Sequence, residues 1–281
     1  MPRSVAVVTD STAYLARADV ERHGIVSVPL TVVVDGLPLQ DGTPEAAAAL
    51  VPALRSRLAV TTSRPGPEMF VRAYRAAAES GASAVVSVHL SSEISGTWDA
   101  AMVAADRAPI PVHVVDSGTI AAALGFGVLA AAHAAAAGAE AGDVAEAARS
   151  RTAATRAYFY VDTLDHLRRG GRINTAQAIF GSALAVKPLL EMRDGRIELL
   201  EKVRTAGRAL ARLEELVVEH AGVAKVDVAV QHLAADERAG ELADRLRGRL
   251  PGLAALHVGE VGAVLGAHTG PGLLGVITAP R

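Results

Sequence analysis

Four apolar runs in this chain each break into a short cluster of small polar residues: VTDST at 8–12, VTTSRPGP at 60–67, VHLSSEISGTW at 88–98 and VVDSGT at 114–119. Between them lie segments with helical character. GPEMFVRAYRAAAESG (66–81) carries a proline in its first turn and Gly81 at its end, a further helix is expected from about Gly96, and Ala-rich helices cover roughly 119–137 and 142–156. Strands alternating with helices point to a parallel sheet covered by helices on its faces. In such a sheet the carboxyl ends of the strands lie along one edge, where ligands bind. If three or four of these clusters follow parallel strands, their hydroxyls gather on one rim.

The second half has another pattern. AVKPLLEMRDGRIELLEKVRT (185–205) reads as two extended segments joined at Asp194-Gly195, a strong hairpin signal. A helix at 206–221, a strand at 225–233, a helix at 235–248 and strands at 253–261 and 273–279 follow. This mixture implies an α+β unit with a mixed or antiparallel sheet. The expected fold class is therefore α/β with two domains, 1–156 and 157–281. In the first half, a strand at 4–12 is expected to lead into a helix near Tyr14, residues 25–36 form one extended region, and strands lie at 83–90 and 112–117.

Composition narrows the function classes. Hydrophobic residues make up 51%, charged residues 21%, and the formal net charge is −2 with no long basic block, which speaks against nucleic-acid binding. With no cysteine, disulfides, thiolate metal sites and a cysteine nucleophile are excluded, and a cytoplasmic setting is expected. The apolar part of MPRSVAVVTDST is too short for a signal peptide. The 23 residues between Asp116 and Glu140 carry no formal charge, but they are mostly Ala and Gly, so a buried helix is expected and no integral membrane span.

Taken singly, each hydroxyl cluster reads as a helix cap or turn. Their recurrence favours a second reading, in which hydroxyls and helix N-termini hold an anion. A serine nucleophile at Ser92 or Ser95 is the rival, but it needs a base and an orienting acid, and no G-x-S-x-G elbow is present. GFGVLA (125–130) matches a dinucleotide fingerprint only as letters, inside a helical stretch. No P-loop or H-E-x-x-H sequence occurs, so no metal is expected. In LDHLRRGGRINTAQ (164–177), Arg168, Arg169 and Arg172 surround two glycines: a solvated helix end, or an arginine assisting an anion or meeting an acidic partner. GAHTGPGLLG (266–275) sets His268 and Thr269 in an expected glycine-rich loop, in a structural or a functional role.

Together VTDSTAYL, TTSRPGP, LSSEISGTW, VVDS, LDHLRRGGRI, KPLL and HTGPG resemble the DegV family of bacterial fatty-acid-binding proteins, in order and spacing over nearly the full chain. The resemblance implies a non-catalytic carrier with no cofactor. Its ligand is a long-chain fatty acid such as palmitate or oleate, held in a tunnel between the two domains. It also implies a partner, a fatty-acid kinase that converts the presented carboxylate to an acyl phosphate for phospholipid synthesis. By position, Thr62 and Ser95 match the hydroxyls that hold the carboxylate, His268 a histidine near that head group, and Arg172 an arginine beside it. Arg64 stands where the family usually has Gln, Glu93 where it has a small residue, and Trp98 where it has Tyr. Glu93 would repel a carboxylate unless it faces solvent or pairs with Arg64. A serine hydrolase and a regulator binding a phosphorylated metabolite stay open as alternatives.

Overall fold

Valine-rich strands build the first sheet. In the computed structural model, which describes residues 4–173 and 187–281, Val5–Asp10 (β1), Val26–Val28 (β2), Ala84–His89 (β6) and Val112–Asp116 (β7) run in the order β2-β1-β6-β7. All three pairings are parallel. Every residue of β6 is buried, as expected of an interior parallel strand covered on both faces. Helices Pro67–Glu79 (α3) and Thr97–Ala105 (α4) pack Phe70, Val71, Tyr74 and Ala101 on one face. Ala122–Ala136 (α5) and Ala141–Ala154 (α6) pack Leu124, Val128, Val144 and Ala148 on the other. The uncharged stretch is therefore the buried helix α5, and no helix among the described residues is long and apolar enough to cross a membrane. Its closeness to α6 depends on Gly127, where a Cβ would lie 2.4 Å from the Thr152 methyl.

A second, six-stranded sheet has the order β10-β9-β8-β13-β11-β12. It joins Arg156–Tyr160 (β8), Lys187–Arg193 (β9), Arg196–Val203 (β10), Val226–His232 (β11), Leu253–Glu260 (β12) and Leu274–Pro280 (β13). Only β11–β12 is parallel, so the sheet is mixed as expected. The β9–β10 turn is Asp194-Gly195 with φ of 48° and 79°, the double left-handed geometry that this dipeptide favours. Positions 185–186 of the expected hairpin and 174–177 of the basic cluster lie outside the described residues. Ala206–Ala221 (α8) and Asp236–Arg249 (α9) bury Leu213, Val217, Leu242 and Leu246 against the sheet.

Two features differ from the sequence expectation. Residues 25–36 are not one extended region: Thr31–Val34 (β3) turns at Asp35-Gly36 and pairs antiparallel with Leu37–Gln40 (β4) and Val60–Ser63 (β5). Helix Pro44–Arg55 (α2) covers this small sheet, and its Leu50, with Val32 and Val34, joins a cluster containing Leu167, Leu190 and Leu233. The insert thus shares one apolar core with the second half of the chain. The helix expected near Tyr14 begins later, at Arg17–His23 (α1), because residues 11–13 form a single 3-10 turn that Tyr14 closes with φ 45°.

That turn is set by Asp10, which is fully buried. Its Oδ1 accepts from the Thr12 amide at 3.0 Å and the Thr12 hydroxyl at 2.5 Å. Its Oδ2 accepts from the Leu90 amide at 3.0 Å and lies 3.1 Å from His89 Nδ1. Replacing Asp10 by Ala strands these donors without water, and a loss of about 3–5 kcal/mol is expected in urea unfolding. Asp10→Asn, which keeps one acceptor oxygen, should lose less. A loss under about 1 kcal/mol for the alanine variant would show that the carboxylate is dispensable to the fold.

Candidate functional site

The VTDST segment places a distant helix. Ser11 Oγ donates to Asp41 Oδ2 at 2.8 Å and accepts the Leu30 amide at 3.1 Å. Asp41 Oδ1 then accepts the Val264 amide at 3.1 Å, capping helix Ala263–Thr269 (α10), while the Tyr14 hydroxyl accepts the Leu265 amide at 3.3 Å. Gly262 lets the three meet, since a Cβ there would lie 2.6 Å from Asp41 Oδ1 and 2.5 Å from the Tyr14 ring. Burial raises the pKa of both Asp41 and Tyr14. Helix α10 carries His268 in its last turn, so this residue is helical and not in a glycine-rich loop.

His268 is gripped from two sides. Its Nε2 lies 2.8 Å from Thr62 Oγ1. Behind it the short helix Asp165–Arg169 (α7) ends at Gly170, where a Cβ would fall 2.2 Å from His268 Nδ1. The contact is reciprocal, because a Cβ at Gly270 would fall 2.4 Å from the His166 ring. The two glycines let α7 and α10 approach closely enough to trap each other's histidines. Burial, and then the charge of Arg172, lower the His268 pKa to about 4, so the ring is neutral at neutral pH.

Thr62, Ser95, Arg172 and His268 all line one small cavity of about 120 Å³, together with Leu30, Leu90, Ile120, Ile197 and Val264. Thr62, Ile94, Arg172, Ile197 and His268 also border a larger cleft of about 1450 Å³, rimmed by Arg57, Arg168, Arg169 and Arg196. Ser95 Oγ lies 2.9 Å from Thr97 Oγ1 and accepts the Thr97 amide at 3.3 Å, so it caps α4 as well as facing the cavity. Arg172 Nε donates to the Ile94 carbonyl at 3.3 Å. Hydroxyls, a neutral imidazole and guanidinium groups, set among apolar side chains in one cavity, are equipped to hold an anion attached to an apolar body.

Three of the four clusters do follow parallel strands, but the fourth does not. Thr62 lies on β5 of the antiparallel insert, and alternation along β5 leaves Val60 and Thr62 half-buried while Thr61 and Ser63 are exposed. Glu93 pairs with Arg196 Nη2 at 2.6 Å, not with Arg64, which donates instead to the Gly96 carbonyl at 3.1 Å. The amide and hydroxyl of Ser92 bind Asp116, which fits a structural cap. Ser91, which the sequence did not single out, is buried and donates to the Gly195 carbonyl at 2.7 Å, fixing the hairpin tip to the loop that carries Ser95.

A Ser–His–Asp array exists elsewhere. Ser87 Oγ lies 2.7 Å from His89 Nε2, and Asp10 holds His89 Nδ1. All three are fully buried, the Tyr74 hydroxyl donates to Ser87 at 2.9 Å, and neither cavity reaches them, so Ser87 cannot meet a substrate. The accessible Thr62–His268 pair has no carboxylate hydrogen-bonded behind the imidazole among the described residues, and a base with a pKa near 4 activates a hydroxyl poorly. Among those residues no group of three metal-ligating side chains converges.

The family model described as "Uncharacterised protein, DegV family" matches residues 4–281. A DegV domain-containing protein of Streptomyces coelicolor is 63% identical over 281 residues, covering 100% of both chains. Among solved structures, a fatty-acid-binding DegV family protein from Thermus thermophilus superposes with a TM-score of 0.93 at 31% identity, over 99% of this chain and 100% of that one. DegV of Bacillus subtilis, described as a fatty acid binding protein, gives 0.90 at 35% identity, over 99% and 100%.

The depressed pKa of His268 has a consequence for stability. The unfolded chain, with an ordinary histidine pKa of 6.5, takes up this proton before the folded one does at about 4. Stability is therefore retained above about pH 6.5 and falls as pH drops toward 4, by up to about 3 kcal/mol from this residue. His166 and His220 are shifted in the same direction, so the residue's share is the difference between wild type and His268→Gln in urea unfolding across this range. An unchanged difference would mean that the ring protonates freely in the folded state.

Proposed function

Because the chain belongs to the DegV family, we propose that it binds a long-chain fatty acid such as palmitate or oleate and presents the carboxylate to a fatty-acid kinase. The observation that carries this reading is that Thr62, Ser95, Arg172 and His268, far apart in sequence, line one small cavity among apolar side chains. The ligand in this reading sits where the first unit, 1–156, meets the second, 157–281. In this reading the hydroxyls and Arg172 hold the carboxylate, and neutral His268 donates or accepts one hydrogen bond without adding charge.

The tail supplies most of the affinity. Each buried methylene contributes roughly 0.8 kcal/mol, so some twelve to sixteen of them give a gross term on the order of 10 kcal/mol before ordering costs. The head group requires only that its desolvation be offset by charge-assisted hydrogen bonds. A carrier of this kind needs neither cofactor nor nucleophile. Its kinase partner would transfer a phosphoryl group to a carboxylate left near the larger cleft, and the nucleoside triphosphate for that step places the pair in the cytoplasm.

Organic extraction of the purified chain followed by mass spectrometry should release a fatty acid. Thr62→Val combined with Ser95→Ala should weaken palmitate binding by at least about tenfold, while Ser92→Ala, away from the cavity, should change it little. Absence of any extracted fatty acid, together with no thermal shift on adding palmitate or oleate, would defeat the carrier reading. Labelling of Ser92 or Ser95 by a fluorophosphonate would favour a hydrolase instead, and release of a phosphorylated metabolite would favour a regulator.

A further inference from the structure

Two guanidiniums bracket Ser95. Arg172 Nε donates to the carbonyl of Ile94 at 3.3 Å, and Arg64 Nη1 donates to the carbonyl of Gly96 at 3.1 Å. Both arginines line the small cavity, and among the described residues no aspartate or glutamate does. They reach it from different parts of the chain, Arg64 directly after β5 and Arg172 after α7. Gly96 makes the first approach possible, since a Cβ there would lie 1.9 Å from Arg64 Nη1.

Neither arginine has a carboxylate partner among the described residues. Glu93, the acid nearest to Ser95 in sequence, is held by Arg196 through Nε at 2.7 Å and Nη2 at 2.6 Å. His268 is neutral at neutral pH and adds no charge. The described residues lining the cavity thus carry two positive charges and no negative one, whereas a fatty carboxylate brings only one negative charge. The surplus cation fits a head group with a second negative charge, and a phosphorylated head group has one, together with three acceptor oxygens in place of two.

We propose that Arg64 is a second anion-binding residue of the site, and that it biases the cavity toward the phosphorylated form of a single-chain lipid over the free carboxylate. This rests on the fatty-acid reading above, since the acyl tail must be held in the same way in both forms. Arg172 serves both ligands, and Arg64 is engaged chiefly by the second charge. A carrier so built holds the phosphorylated product more firmly than the acid from which it is made.

The test is displacement of a fluorescent fatty acid from the delipidated full chain at about pH 8, where a phosphate monoester has lost its second proton. Palmitate, hexadecyl phosphate and inorganic phosphate are the competitors. Arg64→Gln is expected to weaken hexadecyl phosphate by about tenfold or more and palmitate by less than about threefold, and Arg64→Lys to lie between wild type and Arg64→Gln. Melting temperatures of both variants should match wild type, because Arg64 is exposed. Equal losses for the two lipids, or none, would overturn the assignment of Arg64 while leaving fatty-acid binding intact. Displacement by millimolar inorganic phosphate alone would overturn it too, by showing a site for the free ion. If neither lipid displaces the probe from wild type, the fatty-acid reading fails and the assignment falls with it.

Discussion

One buried carboxylate organises both walls of the cavity. Asp10 ends β1, and its two oxygens tie the turn at residues 11–13 to the start of the loop after β6. From that turn Ser11 and Tyr14 reach Asp41 and the first amides of α10, which bears His268. From the loop, Leu90 leads to Ile94 and Ser95. A charge with no solvent around it is costly unless every lone pair is used, and here the lone pairs are used to fix two segments 80 residues apart. The cavity-lining groups inherit their positions from a residue that lines neither cavity.

This arrangement divides labour among similar polar residues. Of the hydroxyls that follow the parallel strands, Ser11, Thr12, Ser91, Ser92 and Ser117 are spent on backbone or carboxylate partners. Ser95 is the one among them that also borders the small cavity. The buried array of Ser87, His89 and Asp10 carries the same lesson, because its hydrogen-bond order is that of a hydrolytic triad while its burial excludes substrate. Accessibility, more than residue identity, separates a site from a structural network.

The alternation of strands and helices was legible because a buried parallel strand and its covering helices have distinct periods. The Asp194-Gly195 hairpin was legible because only a few residues accept two successive positive φ angles. β8 was not: RAYFY follows α6 after one residue and is too short to show a period. The antiparallel insert was hidden because β3 continues the apolar run of β2, and only Asp35-Gly36 marks the reversal. At the site, Thr62 and Ser95 could be nominated, yet the choice of Thr62 over Thr61 depends on the strand's facing. The partner of Glu93 lies 103 residues away, beyond the reach of any local pattern.

The seam between the two larger sheets is closed by contacts of two kinds. At its back, small residues close the gap: Ala123 of α5 meets Ala157, Ala229 and Ile277 of the second sheet. Nearby, Arg151 reaches Asp227 at 2.6 Å, and the Gln231 side chain accepts the Ala122 amide that opens α5. At its front the contacts are made by protruding tips, with Gly195 against Ser91 and Arg196 against Glu93, and the residues just beyond those tips are Ile197 and Ile94. Ile94 and Ile197, adjacent in sequence to these polar contacts, both line the small cavity, so the same contacts fix two of its apolar walls.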